Sequence, residues 1–544
     1  MFARFVLAVL FGFHLCETAL ADTATTNVVT YHGDNLRTGW NKTETQLSPR
    51  TVGPATFGLL HTVALDEQID AQPLVFNNVV YAVTANDTVY AINPSSGQIL
   101  ASLSLGAPVP MRMLPGNCIN NSAVVGITST PVIDPANAVM YVVAYALERG
   151  KPVYRLHRLQ LPNSAANPTS AIVDAQNVVV SASHPLSDGS AISFTPGSQR
   201  QRAALLESNG VVYAAFASFC DLSVNKSRGW LLGWNATTLA PLAANELTDT
   251  QTMAQTPPSG DYHNFYLSSI WMSGYGIASD SSGDLFFITG NSDGNRTDNL
   301  AESAVRMAPD LTTVRDYFTP NLAKTWDFGD FDFGSGGVMI IPDETNFTYA
   351  VAEGKSGALY SLNRASGAMG KYAVPDAPPH NDTGSCWCGP SYYTGSDGIG
   401  RVITSTGANG KGGSWVTSFK VLPASRPNPL VYEASEELPA TIQDGGFFTS
   451  VSSSGTAPKT QIIWAVARPA AATPTQLTLY ALDGSASSHS AGGLPVLYSA
   501  PAGFWPNSNT NANIVPTVAN GKVFVGSYKT LMIFGCKGSP PSWK

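Results

Sequence analysis

The sequence is poor in charge. Aspartate, glutamate, lysine and arginine make up 12% of its 544 residues, about half of the roughly 25% that is usual for soluble globular proteins. The formal net charge is −8, and the chain contains neither a basic run nor a basic stripe. A nucleic acid is therefore not expected as a partner, because binding to phosphates needs a clustered positive surface.

Long hydrophobic runs are also scarce, except at the N-terminus. There Arg4 precedes the apolar residues 5–15, and the small-residue motif Ala-Leu-Ala follows at 19–21. This order predicts a secretory signal peptide over residues 1–21, with a buried N-terminal helix as the alternative. No later run approaches the ~20 apolar residues of a membrane span. We therefore expect a secreted protein, periplasmic in a bacterium, with no membrane span.

N-glycosylation sequons are frequent, and they include Asn41, Asn86, Asn225, Asn235, Asn295, Asn346 and Asn381. In a eukaryotic secretory pathway they predict a glycoprotein. Chance occurrence in a chain rich in Asn and Thr is the alternative.

No long amphipathic helix pattern occurs, and short β-like runs take its place. The stretch VVYAVTANDTVYAINPSSGQIL (79–100) holds two such runs, joined by an Asn-Asp turn and followed by a Ser-Gly turn. Residues 71–75 supply a strand before it, and residues 98–105 supply one after it. The stretch therefore predicts a four-stranded antiparallel meander.

Similar meanders recur along the chain, as in repeat proteins. They are expected at 71–105, 127–176, 200–247, 269–316, 334–374, 386–434, 445–499 and 511–536. The last has only three strands, and the strand-like residues 57–65 can supply its outer strand and remove the exposed sheet edge. We therefore predict an all-β fold, a single eight-bladed β-propeller over residues 22–544. Seven blades, or two β-sandwiches, are the alternatives.

The unit at 79–100 resembles the repeat of the pyrroloquinoline quinone (PQQ) or quinoprotein alcohol dehydrogenase-like β-propellers. In that repeat, a strand and turn precede a V-Y-A-hydrophobic-D/N strand and a T/S-G turn. Residues 357–367 match it fairly, and 478–484 and 521–533 match it in part. The resemblance implies a propeller, and in the dehydrogenases of the family it implies non-covalent PQQ and Ca²⁺. The same repeat also occurs in scaffold proteins without enzymatic activity.

Propellers bind ligands at the mouth of the central channel, where the innermost strands begin. The repeat places a ring of polar and aromatic side chains there. The candidate cofactor-binding residues are Gln72, Thr128, Arg200, Trp271, Ser335, Trp387 and Asn513.

The segment DFGDFDFGSGGV (327–338) concentrates carboxylates before the fifth unit. Asp332 is the candidate general base, and Asp332 with Asp330 are the candidate Ca²⁺ ligands. By the resemblance, a quinone that oxidises an alcohol needs such a base. An acidic loop whose carboxylates cap turns is the alternative, since the spacing is not that of an EF-hand.

A Cys-Trp-Cys motif lies before the sixth unit. Cys386 and Cys388 can form a disulfide with each other or bind a metal with other ligands. Alternatively, one of them pairs with Cys118, which also lies in a loop before an inner strand.

Three functions remain open from the sequence. The first is a secreted, monomeric propeller that binds a small ligand or an extracellular protein at its axial face. The second is a quinoprotein-like oxidoreductase that uses PQQ and Ca²⁺ to oxidise alcohols or sugars. The third is an extracellular enzyme that acts on polysaccharides.

Overall fold

The computed structural model describes most of the chain. The described residues are 25–162, 171–221, 227–252, 267–292, 299–329, 331–343, 348–365, 369–370, 375–376, 388–405, 413–423, 425, 428–439, 446–467, 475–489, 492–506 and 513–537. The predicted signal peptide over residues 1–21 lies outside them.

The strands pair into eight consecutive sheets, which we number as blades 1 to 8 in chain order, and the strands of each blade are given from the channel outward. Blade 1 contains Leu74–Phe76, Val79–Val83, Thr88–Ile92 and Ile99–Ser104. Blade 2 contains Val132–Asp134, Val139–Glu148, Lys151–Gln160 and Val173–Val179. Blade 3 contains an interrupted inner strand (Gln199–Gln201 and Leu206–Ser208), then Val211–Ser218, Trp230–Asn235 and Glu246–Leu247. Blade 4 contains Ala278–Ser279, Leu285–Ile288, Ala304–Met307 and Val314–Phe318.

The second half of the chain continues the same arrangement. Blade 5 contains Gly337–Ile340, Tyr349–Glu353, Leu359–Asn363 and Pro375–Asp376. Blade 6 contains Ser391–Thr394, Gly400–Ser405, Gly413–Val421 and Leu430–Pro439. Blade 7 contains Thr449–Ser452, Ile462–Ala467, Thr475–Asp483 and Val496–Trp505. Blade 8 contains Thr517–Ala519, Lys522–Gly526, Thr530–Cys536 and Phe57–Ala64.

Several short elements lie outside the four-stranded blades. The additional strands are Trp40–Asn41, Val109–Pro110, Val124–Val125, Ser183–Pro185 and Ala191–Ser193. The 3-10 turns are Met111–Met113, Pro115–Asn117, Met272–Gly274 and Phe333–Ser335, and an α-helix spans Ala323–Gly329. Within the described ranges, no helix is long and apolar enough to cross a membrane.

Both ends of the chain contribute to blade 8. Its outermost strand, Phe57–Ala64, is antiparallel to Thr530–Cys536, with Phe57 opposite Cys536 and Ala64 opposite Thr530. This pairing confirms the predicted closure and the predicted count of eight blades. The seven-bladed and two-sandwich alternatives are wrong.

The hydrophobic core lies between neighbouring blades. Between blades 1 and 2, for example, Val89 and Ala91 belong to the same buried cluster as Met140 and Val142. Because every sheet is covered on both faces, its strands are apolar on both faces. This packing explains the high apolar content beside so little charge.

Residues 26–43 form an inner ring around the channel, which we call the collar. Hydrogen bonds join it to every blade: Val28 to Val75, Val29 to Ile133, Asn35 to Glu207 and Ser279, Leu36 to Ile340, Thr38 to Tyr392, Gly39 to Val451 and Asn41 to Val518. On each inner strand these contacts follow the positions predicted for the mouth. The collar contacts therefore lie further along the inner strands than the predicted mouth positions, and Gln72 reaches the collar directly.

The centre of the collar is filled by Tyr31, His32 and Arg37, none of which is more than 2% exposed. The Arg37 guanidinium donates to the carbonyl oxygens of Leu205, at 3.1 Å, and Ile277, at 2.8 Å. The Arg37 side chain thus fills the centre of the collar and ties it to blades 3 and 4.

Glycosylation of the sequons stays a prediction. The amide nitrogens of Asn41 and Asn86 donate hydrogen bonds to the Val518 carbonyl and the Asp66 carboxylate. Asn235 is exposed on a turn of blade 3, so it is the more accessible of these three acceptors.

Candidate functional site

The mouth of the channel is formed where the inner strands begin. The predicted residues that the structure places there, along blades 1 to 5 and before blade 8, are Gln72, Thr128, Arg200, Trp271, Asp332, Ser335 and Asn513. Asp330, Cys386 and Trp387 lie outside the described residues.

Arg200 and Trp271 come together at this mouth. The Cζ atom of Arg200 lies 5.6 Å from the centre of the Trp271 ring and 5.8 Å from that of Phe219. Its Nη2 donates to Oδ1 of Asn120 at 2.8 Å, and its Nε has no partner. The cation is therefore held by two aromatic rings and one neutral amide.

Arg202 extends the same positive region just after the strand Gln199–Gln201. It is 3% exposed, and its Nη1 donates to the Thr128 carbonyl at 2.6 Å. Burial, and then the charge of Arg202, lower the pKa of Arg200 to about 10, so it stays protonated at neutral pH. Neither arginine forms a direct ion pair with a carboxylate of the described residues, although the charge of Asp70 opposes the lowering of the Arg200 pKa. Buried charge without a direct partner is costly.

Asp332 lies on the blade 5 side of the mouth. It is 4% exposed and directly precedes the turn Phe333–Ser335. Its Oδ2 accepts a hydrogen bond from Nζ of Lys355 at 2.6 Å, and its Oδ1 has no partner. The turn packs against the turn Met272–Gly274, which follows Trp271. Asp332 and Trp271 therefore occupy neighbouring blade entrances.

Three other predicted residues hold the channel wall together. The Gln72 Oε1 accepts from the backbone N–H of His32 at 2.9 Å, which ties it to the collar. The Thr128 hydroxyl donates to the Gln201 carbonyl at 2.7 Å. The Ser335 hydroxyl donates to the Asp332 carbonyl at 2.8 Å. These polar groups are thus already engaged within the protein.

Buried polar atoms without a protein partner occur at the mouth and in the collar. They include Asp70 Oδ2, Ser129 Oγ, Arg200 Nε, Asp332 Oδ1, Tyr31 Oη and His32 Nε2. Buried polar atoms are nearly always hydrogen-bonded in folded proteins. Such a group along one channel is suited to a polar ligand or to bound water.

A cavity of about 240 Å³ lies between the collar and blades 7, 8 and 1, and Gln72 also lines it. Its walls include both Asp34 and Lys42, so they carry charges of both signs.

The alternative that Cys118 forms a disulfide with Cys386 or Cys388 is wrong. The structure pairs Cys118 with Cys220, with a Cα–Cα distance of 5.6 Å. The reason is topological, because the loop of Cys118 precedes blade 2 and Cys220 follows a strand of the adjacent blade 3. Cys388, beside blade 6, is also disulfide-bonded, as is Cys536.

The described residues do not form a metal cage. They contain no group of three or more His, Cys, Asp or Glu side chains that could hold a metal. Asp332 offers one unpartnered oxygen, whereas Ca²⁺ takes six to eight oxygen ligands. The Ca²⁺ site proposed at Asp330 and Asp332 stays a prediction.

Sequence reasoning missed Arg202, Lys355, Asn120 and Phe219. Arg202 was detectable, since it lies two residues after Arg200 and side chains alternate along a strand. Lys355 was detectable from strand register, because Gly337 pairs with Glu353 two residues before it. Asn120 and Phe219 carried no local signal.

Comparison with known proteins supports the fold. No family model and no curated protein matches the chain. The quinohemoprotein alcohol dehydrogenase of Comamonas testosteroni is 12% identical with a TM-score of 0.61, and the match covers 96% of this chain and 82% of that one. Quinohemoprotein alcohol dehydrogenase ADHIIG of Pseudomonas putida HK5 is 14% identical with a TM-score of 0.58, covering 95% and 82%.

A europium-containing methanol dehydrogenase is 12% identical with a TM-score of 0.56, and the match covers 94% of this chain and 98% of that one. At these identities the likeness concerns the fold alone. The chain is an eight-bladed propeller with the fold of the quinoprotein alcohol dehydrogenases, which confirms the resemblance at that level.

Proposed function

We propose that the channel mouth binds a small planar anion, with Arg200 and Arg202 as its charge partners. The proposal depends on one observation: two buried arginines lie together and neither forms an ion pair, although the charge of Asp70 acts on Arg200. A buried cation is destabilising unless an anion neutralises it. A ligand that brings carboxylates to the mouth supplies that charge, and guanidinium groups bind carboxylates through paired hydrogen bonds.

The shape of the ligand follows from the rings around Arg200. Trp271 is half-buried at the mouth, so part of its ring is available for stacking. Aromatic rings and arginines bind flat, electron-poor ligands through stacking and charge. PQQ combines a flat ring system with several carboxylates, so it fits these residues and is the probe of choice.

A second candidate function, a quinoprotein-like oxidoreductase, is favoured by Asp332. Its unpartnered Oδ1 is suited to accept the proton of a substrate hydroxyl, while Lys355 holds Oδ2. A bound quinone would supply the electron acceptor for an alcohol or a sugar. Asp332 and Asp330 remain the proposed Ca²⁺ ligands.

An extracytoplasmic location belongs to the same proposal. The Cys118–Cys220 disulfide supports it, since disulfides persist mainly in oxidising compartments.

Binding is tested by titrating the purified protein with PQQ, with and without Ca²⁺, while following quinone absorbance and tryptophan fluorescence. We expect Arg200→Gln and Arg202→Gln to weaken binding by about tenfold or more, since each removes a charged hydrogen-bonding partner. Arg50→Gln is the matched control, because Arg50 is exposed outside the mouth. No binding to the wild type, or equal binding by all four proteins, would refute the proposal.

Turnover separates the second function from the first. Dye reduction with simple alcohols and sugars is measured after loading with PQQ and Ca²⁺. We expect Asp332→Asn to abolish turnover and to keep PQQ affinity within a few fold. A wild type that binds PQQ and reduces no dye would exclude the oxidoreductase and leave the binding function in place.

A further inference from the structure

We propose that the Cys118–Cys220 disulfide is a positioning element for Arg200, and that opening it weakens anion binding at the mouth. The inference rests on the proposed function, because it concerns the same arginine. The two cysteines of this disulfide lie close in sequence to Asn120 and Phe219, the two residues that contact the Arg200 guanidinium.

Cys118 fixes the position of the loop that contains Asn120. Cys118 lies two residues before Asn120, whose Oδ1 accepts from Arg200 at 2.8 Å. Asn120 is 3% exposed, and its Nδ2 donates to the Val124 carbonyl at 3.0 Å. The neighbouring Asn121 donates to Oδ1 of Asp70 at 2.7 Å. The loop after Cys118 thus presents one acceptor to Arg200 and supports a carboxylate close by.

Cys220 fixes the position of the neighbouring residue Phe219. This residue is fully buried directly before Cys220, and its ring packs against the Arg200 guanidinium. Cys220 and Asp221 have φ angles of 50° and 51°, in the left-handed region that such residues rarely adopt. The hydroxyl of Ser218 donates to the carboxylate of Asp221. The chain therefore turns sharply just after Phe219 and needs an anchor there.

The two cysteines come from distant parts of the chain. Cys118 and Cys220 are 102 residues apart in sequence, in the loop before blade 2 and at the end of a strand of blade 3. The disulfide fixes the separation of the loops and so fixes the Asn120 oxygen and the Phe219 ring on two sides of Arg200. A preorganised arginine loses less entropy when it binds an anion.

Opening the bond has a defined chemistry. A dithiol reductant transfers two electrons and two protons to the disulfide, which becomes two thiols, while the dithiol is oxidised to its own disulfide. Both loops then move independently, and Arg200 loses its fixed orientation. The effect on the ligand is transmitted through Arg200.

The test uses the double variant Cys118→Ser/Cys220→Ser, which leaves the other disulfides untouched, and PQQ as the probe. We expect its dissociation constant to rise about five- to tenfold, with the circular dichroism of the wild type retained. The same pair of substitutions in an Arg200→Gln background is expected to change the dissociation constant by less than twofold. A merely structural disulfide would weaken binding by the same factor in both backgrounds.

The outcomes separate this inference from the proposed function. A wild type that does not bind PQQ would refute the proposed function itself. Wild-type affinity in the double variant, together with weak binding by Arg200→Gln, would refute only the role of the disulfide. If the double variant does not fold, Asn120→Ala keeps the bond and decides the matter. It is expected to show a similar loss, and unchanged affinity would overturn the inference.

Discussion

At the scale of single residues, the fold treats its buried arginines in two different ways. Arg401 in blade 6 is fully buried and contacts Asp397 and Glu433, each at 2.8 Å. Arg37 in the collar is satisfied by carbonyl oxygens and a hydroxyl. Arg200 has one neutral partner and an unused Nε. The contrast supports the proposal that Arg200 binds a ligand.

The contrast gives a stability prediction. We expect Arg200→Gln to leave the free energy of unfolding of the ligand-free protein unchanged or to raise it by about 1 kcal/mol, as is common for residues that serve a site. Arg401→Gln should lower it by about 3–5 kcal/mol, because two carboxylates lose their cation. Denaturant unfolding checks both. A large loss of stability in Arg200→Gln would identify a structural residue.

Glu353 makes stability depend on pH. It is 2% exposed, and burial raises its pKa to about 8, against the opposing effect of a hydrogen bond from Thr404. The folded protein therefore holds a proton that the unfolded chain has released between about pH 5 and pH 8. The contribution of Glu353 to the free energy of unfolding is complete below that window, decreases as the pH rises across it and is lost above about pH 8.

Glu353→Gln should remove this dependence, because an amide keeps the size and the neutral form of the protonated acid. Each unit of a pKa shift corresponds to about 1.4 kcal/mol, so the variant should melt at a higher temperature than the wild type at alkaline pH. Thermal melts across this range check the effect. If the melting temperatures of the wild type and Glu353→Gln changed with pH in the same way, the prediction would be contradicted.

At the scale of elements, the closing strand Phe57–Ala64 joins the two ends of the chain, and Phe57 is its most deeply buried large side chain. Phe57 is fully buried and lies 5.5 Å from Trp464, 5.1 Å from Tyr498 and 6.4 Å from Phe534, measured between ring centres. These rings belong to blades 7 and 8. The strand therefore also links the last two blades.

Phe57→Ala should cost about 3–5 kcal/mol in the free energy of unfolding. Leu59→Ala is the matched control on the same strand, since Leu59 is 45% exposed and should change stability by about 0.5 kcal/mol or less. Denaturant unfolding compares the two. Equal losses would show that the strand contributes no buried anchor.

The elements were predictable where the signal was local. Alternating apolar runs and turn residues at regular spacing define each blade without knowledge of its neighbours, and the missing strand of the last unit pointed to residues 57–65. The positions of Arg200 and Trp271 followed from the same repeat. Asn120 did not, because a loop's contacts depend on tertiary packing. The partner of Cys118 did not either, since cysteine spacing alone does not fix connectivity.

At the scale of the whole molecule, the collar contacts all eight blades from within. It could not be predicted, because residues 26–43 have no periodic pattern and their partners are spread from Val75 to Val518. Gly276 permits its central contact. A Cβ atom at Gly276 would lie 2.7 Å from Nε of Arg37, so only glycine allows the guanidinium to approach so closely.

Gly276→Ala should therefore destabilise the whole propeller by about 1–3 kcal/mol, in the range of overpacked cores. Gly197→Ala is the control, because nothing lies within 4 Å of the added atom. Hydrogen exchange should show the earliest loss of protection in the inner strands of blades 3 and 4. Unchanged melting of Gly276→Ala would show that the collar adjusts freely around Arg37.

Because buried side chains fill the centre of the collar, a ligand of the proposed site would have to enter and leave on the side of the channel away from the collar. A substrate and a product that both need Asp332 would then share one route, and release of the product would delay binding of the next substrate.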